Sequence, residues 1–169
     1  MGQKRDELAA SAVRDGDDDM IRAILVEVCR ITHTGFAAVA RVTEDRWIAC
    51  QVADQVSFGL EHGDELDIQK TICRQIREFG KEVVIDHVGA DPDWRTHPVP
   101  AMYGFQAYAS LPIFLNDGSF YGTLCTLDTN PRALSARATM GVLRRHAERI
   151  GELLSAKRSQ AEPQRLSHA

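Results

Sequence analysis

The sequence lacks an apolar run near the roughly 20 residues that a membrane span needs. Its first residues, MGQKRDELAA, also lack the apolar core of a secretory signal. There is no excess of basic residues, because 20 Lys and Arg are outnumbered by 24 Asp and Glu. Sequence-independent nucleic-acid binding relies on a basic surface that neutralises phosphates. We therefore expect a cytoplasmic protein that binds neither membranes nor nucleic acid.

Clustered metal ligands and paired cysteines are also missing. Cys29, Cys50, Cys73 and Cys125 are widely separated and form no CxxC motif. The six histidines form no HxxxH motif and do not pair with the cysteines at metal-ligand spacing. This spacing predicts no metal site. In a reducing compartment the cysteines are most simply interpreted as small buried hydrophobic residues.

The length and composition are those of one globular domain. The chain has 169 residues, 44% of them hydrophobic and 26% charged. Polar stretches at both ends favour three segments: a flexible N-terminal segment over residues 1–17, a folded domain over 18–156 and a disordered tail over 157–169.

Apolar periodicity changes once in the first half of the chain. An acidic run ending near residue 19 precedes an apolar stripe at helical spacing, and aspartates there favour a helix start because they accept hydrogen bonds from free N–H groups. Gly35 is a plausible end for this helix. From Phe36 to Val42 the apolar period becomes two, and residues 47–52 are typical of a second strand, so we expect a hairpin.

The second half repeats the alternation of helices and strands. Pro92, Pro98 and Pro100 exclude a long helix before the second hairpin. The expected elements are, in order, a helix over 68–79, a strand over 83–85, a long loop over 87–106, a hairpin of strands 107–114 and 119–127, and a helix that Ser135 begins. These elements predict an α+β fold with a central antiparallel sheet of five or six strands. Its N- and C-terminal helices would lie on one face, and a helix plus the long loop on the other.

Two stretches carry a family resemblance. TICRQIREFGKEVVIDHVGADPDWRTHPV and GFQAYASLPIFLNDGSFYGTLCTLDTNPRALS resemble the GAF domains of bacterial sensor histidine kinases and related signalling proteins. The resemblance extends from about Asp18 to Leu154. It implies a GAF/PAS-like fold and a sensory or regulatory module of signal transduction that binds a small ligand or a partner protein and catalyses no reaction.

In the family, ligands lie between the sheet and the loop that corresponds to residues 87–106. A pocket there needs apolar walls and a few polar groups that orient the ligand. The alternative is that the aromatic side chains only close the face of the sheet. The candidate ligand-binding residues are Asp86, Asp91, Trp94, Arg95, His97, Tyr103, Phe105 and Tyr108.

The resemblance leaves the cofactor unknown. A bilin photoreceptor would carry a Cys-His pair in this loop, but His97 follows Thr96 and no cysteine lies between Cys73 and Cys125, so no covalent bilin is expected. The N-K-x-x-F-x-x-x-D-E pattern of cyclic-nucleotide-binding members is absent. Haem would need an axial ligand, for which His87 or His97 is available.

An enzymatic alternative is the free methionine sulfoxide reductase, which also has a GAF domain. Cys73 falls near one of that family's cysteines, but the segment MYGFQAYAS, where the attacking cysteine is expected, contains none. Thiol redox chemistry needs an accessible thiolate with a partner cysteine in reach. We therefore expect no enzymatic activity.

A third possibility is a dimerisation module without a ligand. The terminal apolar stripes have two alternatives: they pair across a two-fold axis, or they pack on their own sheet. Pairing predicts a homodimer that acts in a two-component system with a signalling protein in trans. The alternative of a chain cut from a longer sensor protein stays open. The candidate dimer residues are Ile21, Ile24, Val28, Met140, Leu143, Ala147, Ile150 and Leu154.

Overall fold

The apolar periods of the sequence become five α-helices and six β-strands in the computed structural model, which describes residues 6–167. In chain order they are α1 (Glu7–Gly16), α2 (Asp19–Thr32), β1 (Phe36–Val42), β2 (Trp47–Asp54), β3 (Glu65–Leu66), α3 (Cys73–Phe79), β4 (Val83–Ile85), α4 (Pro98–Tyr103), β5 (Ala107–Phe114), β6 (Phe120–Asp128) and α5 (Arg137–Ser167).

The strands form one antiparallel sheet in the order β3-β2-β1-β6-β5-β4. Both predicted hairpins are present, as the pairs β1–β2 and β5–β6. Strands β1 and β6 pair at the centre of the sheet. Because nearly every residue of these two strands is buried, the sheet must be covered on both faces. The predicted α+β fold class is confirmed.

Helices α1, α2 and α5 cover one face. Asp18 caps α2 as the acidic run predicts, because its carboxylate accepts hydrogen bonds from the backbone N–H groups of Met20 and Ile21. The helix ends at Thr32, and the next residue, His33, adopts a left-handed conformation with φ 56°. Gly35 therefore is not its end, and its backbone N–H donates to Asp128 instead.

Helix α3 and the loop over residues 87–106 cover the other face. The expected helix over 68–79 is divided into a 3-10 turn at Ile68–Lys70 and α3. The loop contains a second 3-10 turn at Val88–Ala90 and then α4, a helix of six residues. Pro98 lies in its first turn and Gly104 ends it with φ 75°. The prolines thus permit a short helix and no long one.

The two end segments differ from the predictions. Residues 6–17 of the predicted flexible segment instead contain α1 over Glu7–Gly16, which buries Ala9 and Ala12. Residues 157–167 of the predicted disordered tail lie in α5, which continues to Ser167. Residues 1–5 and 168–169 of the two predicted segments lie outside the described part of the chain.

Long-range polar contacts explain both corrections. Lys157 of α5 donates to the backbone oxygens of Arg14, Asp15 and Asp17 at the end of α1. The hydroxyl of Tyr121 donates to the Asp15 carboxylate at 2.7 Å, and Arg158 lies 3.4 Å from the same carboxylate. These contacts hold the two terminal helices against each other and against the sheet.

The candidate dimer residues are not on the surface of the described chain. Ile21, Ile24 and Val28 of α2, and Met140, Leu143, Ala147, Ile150 and Leu154 of α5, are all buried in the core between the helices and the sheet. Side chains that already pack inside one chain cannot form an interface with a second copy. The assignment of these residues to a dimer interface is therefore wrong, while the homodimer itself stays a prediction.

No helix among residues 6–167 combines the length and the apolar character that crossing a membrane requires.

The central sheet gives a stability prediction at Gly122. A Cβ atom there would lie 1.8 Å from the carbonyl oxygen of Ala40 on the neighbouring strand. We expect Gly122→Ala to lower the free energy of unfolding by about 3 kcal/mol or more, because two central strands would have to separate. Urea unfolding monitored by circular dichroism measures the change.

Gly141→Ala in α5 is the matched control. The nearest atom to a Cβ there is a side-chain nitrogen of Arg145 at 3.7 Å. Alanine has a higher helix propensity than glycine, so this variant should gain up to about 1 kcal/mol. Equal stability of the two variants would contradict the close approach at Gly122.

Candidate functional site

A small cavity lies between the sheet and the segments that cover its second face. It has a volume of about 50 Å³. Three sides come from strands, α3 and the loop, and nearly all the exposed atoms of its lining are apolar. The lining residues are Phe36, Trp47, Phe58, Leu60, Leu66, Thr71, Ile72, Cys73, Val99, Tyr103, Phe105, Tyr108, Cys125 and Leu127. We call this space the inner cavity.

Two side chains of the sheet that line the inner cavity, Trp47 and Tyr108, carry buried polar atoms. Trp47 begins β2, is only 4% exposed, and its indole Nε1 has no hydrogen-bond partner among the described residues, although it lies near the sulfur of Cys73. Tyr108 of β5 stacks on Phe105 with ring centroids 5.0 Å apart. Burial raises the pKa of the Tyr108 phenol well above its ordinary value, so Tyr108 is a neutral donor. Its hydroxyl points toward Cys73 at 3.6 Å.

A cluster of thiols and hydroxyls adjoins these two side chains. The sulfurs of Cys73 on α3 and Cys125 on β6 are 3.6 Å apart. The Thr123 hydroxyl lies 3.2 Å from each sulfur, and the Ser110 hydroxyl lies 3.2 Å from that of Cys125. The thiol of Cys125 and then the surrounding hydroxyls favour a thiolate at Cys73 and hold its pKa below the ordinary value, against the effect of burial. The same pairing and burial raise the pKa of Cys125.

The inner cavity adjoins a wider open groove of about 480 Å³. Phe58, Leu60, Leu66 and Tyr103 line both spaces. The groove adds polar groups at Ser57 and Thr129 and the exposed side chain of Met102, and no charged side chain of the described part of the chain lines it. We call it the outer groove. The inner cavity is thus narrow and apolar, and the outer groove beside it is wider and uncharged.

The structure brings together only some of the candidate ligand-binding residues. Tyr103, Phe105 and Tyr108 line the inner cavity. Arg95 and His97 instead line a separate depression of about 210 Å³, which Phe105 divides from the inner cavity. Asp86, Asp91 and Trp94 line neither space.

The remaining candidates have local structural contacts. Asp86 accepts hydrogen bonds from the backbone N–H and the hydroxyl of Ser135, at 2.8 and 2.5 Å, and so fixes the segment before α5. The Ser135 side chain therefore contacts Asp86, just after β4, and does not cap α5. Asp91 accepts from the N–H of Asp93. The His97 ring packs on Trp94 and accepts from the N–H of Val99, which caps α4.

Trp47, Cys73 and Cys125 are cavity residues that the sequence analysis did not select. Trp47 is the register partner of Val42, which the strand alternation already assigns to the same face as Phe36. That pairing is the sequence signal that identifies Trp47. Cys73 and Cys125 are 52 positions apart, and no local pattern relates them.

The cavity geometry bears on the cofactors of the family. Among the described side chains no histidine lines the inner cavity, so neither His87 nor His97 faces it as an axial haem ligand. A volume of about 50 Å³ lies far below the roughly 300 to 1,000 Å³ of pockets that enclose drug-sized ligands. Within residues 6–167, no group of three or more metal-ligating side chains comes together.

The helices and the antiparallel sheet define an α+β domain, and comparison with known families agrees. The sequence pattern of the GAF domain family matches residues 18–156. This chain therefore belongs to the GAF domain family. A comparison with curated proteins finds no match.

Solved structures of similar fold come from several GAF proteins. The GAF domain of a two-component sensor histidine kinase from Bacillus halodurans has 11% identity, with 86% of this chain and 97% of that chain covered and a TM-score of 0.66. The blue-light absorbing form of the Thermosynechococcus elongatus PixJ GAF domain has 8% identity, coverage of 94% and 95%, and a TM-score of 0.70. The type II free methionine-R-sulfoxide reductase from Thermoplasma acidophilum has 12% identity, coverage of 88% and 95%, and a TM-score of 0.61. At these identities the likeness establishes the fold alone.

The geometry at Asp86 gives a prediction that separates structural from ligand-binding roles. Asp86→Ala removes two hydrogen bonds to Ser135. We expect it to lower the free energy of unfolding by about 1 to 2 kcal/mol, because the segment before α5 loses both side-chain hydrogen bonds to Asp86 and keeps the backbone bond from Arg132. Urea unfolding measures the change.

Asp91→Ala is the control in the same covering segment. It removes one bond within an exposed turn, so its effect should stay within about 0.5 kcal/mol. A larger loss of unfolding free energy for Asp91→Ala than for Asp86→Ala would contradict the structural role of Asp86.

Proposed function

We propose that this chain is a sensory module of signal transduction that binds a small, uncharged, mostly apolar molecule carrying one hydrogen-bond acceptor. The observation behind the proposal is the mostly apolar inner cavity lined by Trp47, whose buried indole N–H makes no hydrogen bond of normal geometry and lies near the sulfur of Cys73. A buried N–H without a partner costs about 1 to 3 kcal/mol, and an acceptor on a ligand would recover that cost.

The shape of the two connected spaces narrows the ligand class. The inner cavity accommodates only a few non-hydrogen atoms, whereas the outer groove accommodates a longer portion. Because no charged residue among those described lines either space, a carboxylate, phosphate or ammonium group on the ligand would lose its hydration without gaining a partner of opposite charge. An aliphatic ketone, aldehyde or ester has the required chemistry.

The family membership supports a role in signalling, and the comparison with the Bacillus histidine kinase domain supports a two-component context. We propose that the protein acts in the cytoplasm, as a homodimer, by binding and without catalysis, and that it signals to a partner protein. A dimer would use exposed residues of the helices, such as Met20 and Val26 of α2, since the apolar stripes are already buried.

The reductase is the second candidate, because Cys73 and Cys125 lie 3.6 Å apart and the Thermoplasma enzyme has the same fold. Free methionine sulfoxide carries both an ammonium and a carboxylate group, and the described walls of the cavity offer a group of opposite charge to neither. This argument favours the binding module. Turnover of free methionine sulfoxide with a dithiol reductant would reverse the preference.

The test uses 2-heptanone, whose acetyl end suits the inner cavity and whose alkyl chain suits the outer groove. The chain has two tryptophans, so a spectrum of ¹⁵N-labelled protein shows two indole N–H signals. We expect 2-heptanone to move the Trp47 signal, because a new hydrogen bond forms there, and to leave the Trp94 signal in place.

Matched variants complete the experiment. Trp47→Phe keeps an aromatic ring but removes the donor, so affinity should fall about 3- to 10-fold, the value of one hydrogen bond. Trp94→Phe should bind as wild type, since Trp94 does not line the cavity. An unmoved Trp47 signal at saturating ketone, or an equal loss in both variants, would place the site elsewhere. Native mass spectrometry of the purified protein would reveal the mass of a natural ligand.

A further inference from the structure

The two thiols beside the inner cavity form a pair that ligand binding does not use. Cys73 and Cys125 are buried, and their sulfurs are 3.6 Å apart. We propose that they are a redox modification site, at which a small hydroperoxide entering the cavity converts the two thiols into a reversible disulfide. The formation of this bond does not depend on the proposed ligand.

The fold allows the sulfurs to meet. A disulfide has an S–S distance of about 2.0 Å, so the sulfurs must approach by about 1.5 Å. Cys125 lies on β6, which is hydrogen-bonded to β1 and β5 and is fixed by them. Cys73 is the first residue of α3, a helix of seven residues whose N-cap makes no side-chain hydrogen bond. The approach therefore needs a small rotation at the beginning of a short helix and no change in the sheet.

The surrounding hydroxyl groups distinguish the two sulfurs. Tyr108 and Thr123 lie 3.6 and 3.2 Å from the sulfur of Cys73 and stabilise negative charge on it. The pKa of Cys73 is lowered by its hydrogen bond with Cys125 and by these hydroxyls, whereas the pKa of Cys125 is raised. Since the thiolate is the nucleophile, Cys73 attacks first and Cys125 follows.

The chemistry balances with a hydroperoxide as the oxidant. The Cys73 thiolate attacks one peroxide oxygen, the O–O bond breaks, and the other oxygen leaves as water or an alcohol after taking up a proton. Cys73 is then a sulfenic acid. The Cys125 sulfur attacks the Cys73 sulfur, the S–O bond breaks, and water leaves with the Cys125 proton. Two thiols are oxidised by two electrons and one peroxide is reduced.

The size and lining of the cavity determine which oxidant enters, and the position of each cysteine determines whether it reacts. At about 50 Å³ and with no charged residue in its lining, it admits hydrogen peroxide and excludes a charged, peptide-sized disulfide such as oxidised glutathione. Cys50 lies on the opposite face, where burial raises its pKa to about 12. Cys29 is buried on that face too, and burial raises its pKa. Neither has a second cysteine as hydrogen-bond partner.

The bond would alter the cavity directly. Both cysteines are lining residues, and a disulfide would link α3 to a central strand and draw one wall toward the other. Oxidation therefore narrows the inner cavity and fixes the covering helix.

The experiment treats the folded wild-type protein with hydrogen peroxide and follows intact mass and a non-reducing peptide map. We expect the loss of two hydrogen atoms, a Cys73–Cys125 cross-linked peptide, and reversal by dithiothreitol. Cys50→Ser should still form the bond, and Cys125→Ser should stop at a sulfenic acid on Cys73, seen as the gain of one oxygen atom in the intact mass. An unmodified chain, a different cysteine pair, or direct conversion of wild-type Cys73 to a sulfinic acid would overturn the proposal. The wild-type map is decisive even if a variant does not fold.

A matched pair of threonine variants tests the role of the hydroxyls. Thr123→Val removes the hydroxyl that lies 3.2 Å from both sulfurs, so oxidation should slow about 3- to 10-fold. Thr126→Val is the same change on the same strand, but Thr126 bonds to Thr34 and the Phe36 carbonyl, so its rate should match wild type. Equal rates in the two variants would contradict activation by Thr123. The ketone titration, done on reduced protein, fails or succeeds independently of these results.

Discussion

Burial of the sheet on both faces is the constraint on which the rest of the structure depends. The central strands β1 and β6 are almost wholly buried, so neither face can be left to water. Three helices with apolar stripes cover one face closely. The other face is covered by the short helix α3 and by an irregular segment that contains three prolines. Irregular segments pack less completely than long helices, and the cavity lies under this cover.

The sequence predicts the elements that local periodicity determines. The hairpins follow from a period of two, and α2 and α5 follow from apolar stripes that are continuous over several turns. Helix α1 was missed because its buried side chains, Ala9 and Ala12, are too small to stand out from a polar segment. The end of α5 was missed because Lys157 and Arg158 are held by contacts with residues about 140 positions away, which no local pattern records.

The candidate site likewise has residues that a local pattern predicts and residues that only long-range contacts bring in. The loop aromatics Tyr103 and Phe105 were predictable, since large rings in a loop need a buried place. Trp47 and the cysteine pair become part of the site only through strand register and the position of α3, which join distant parts of the chain. The dimer residues failed for a different reason. An amphipathic stripe has the same spacing whether it packs on its own sheet or on a second copy, and here the chain's own sheet already buries it.

The contacts between α1 and α5 have a mechanical consequence. Lys157 closes the carbonyl end of α1, and the aromatic ring of Tyr121 lies under the guanidinium groups of both Arg41 and Arg158. Helices α1 and α5 are therefore coupled by these hydrogen bonds and cation–π contacts. A rotation of α5 about its axis would also displace α1 through these contacts, so the two helices would move together as one rigid unit.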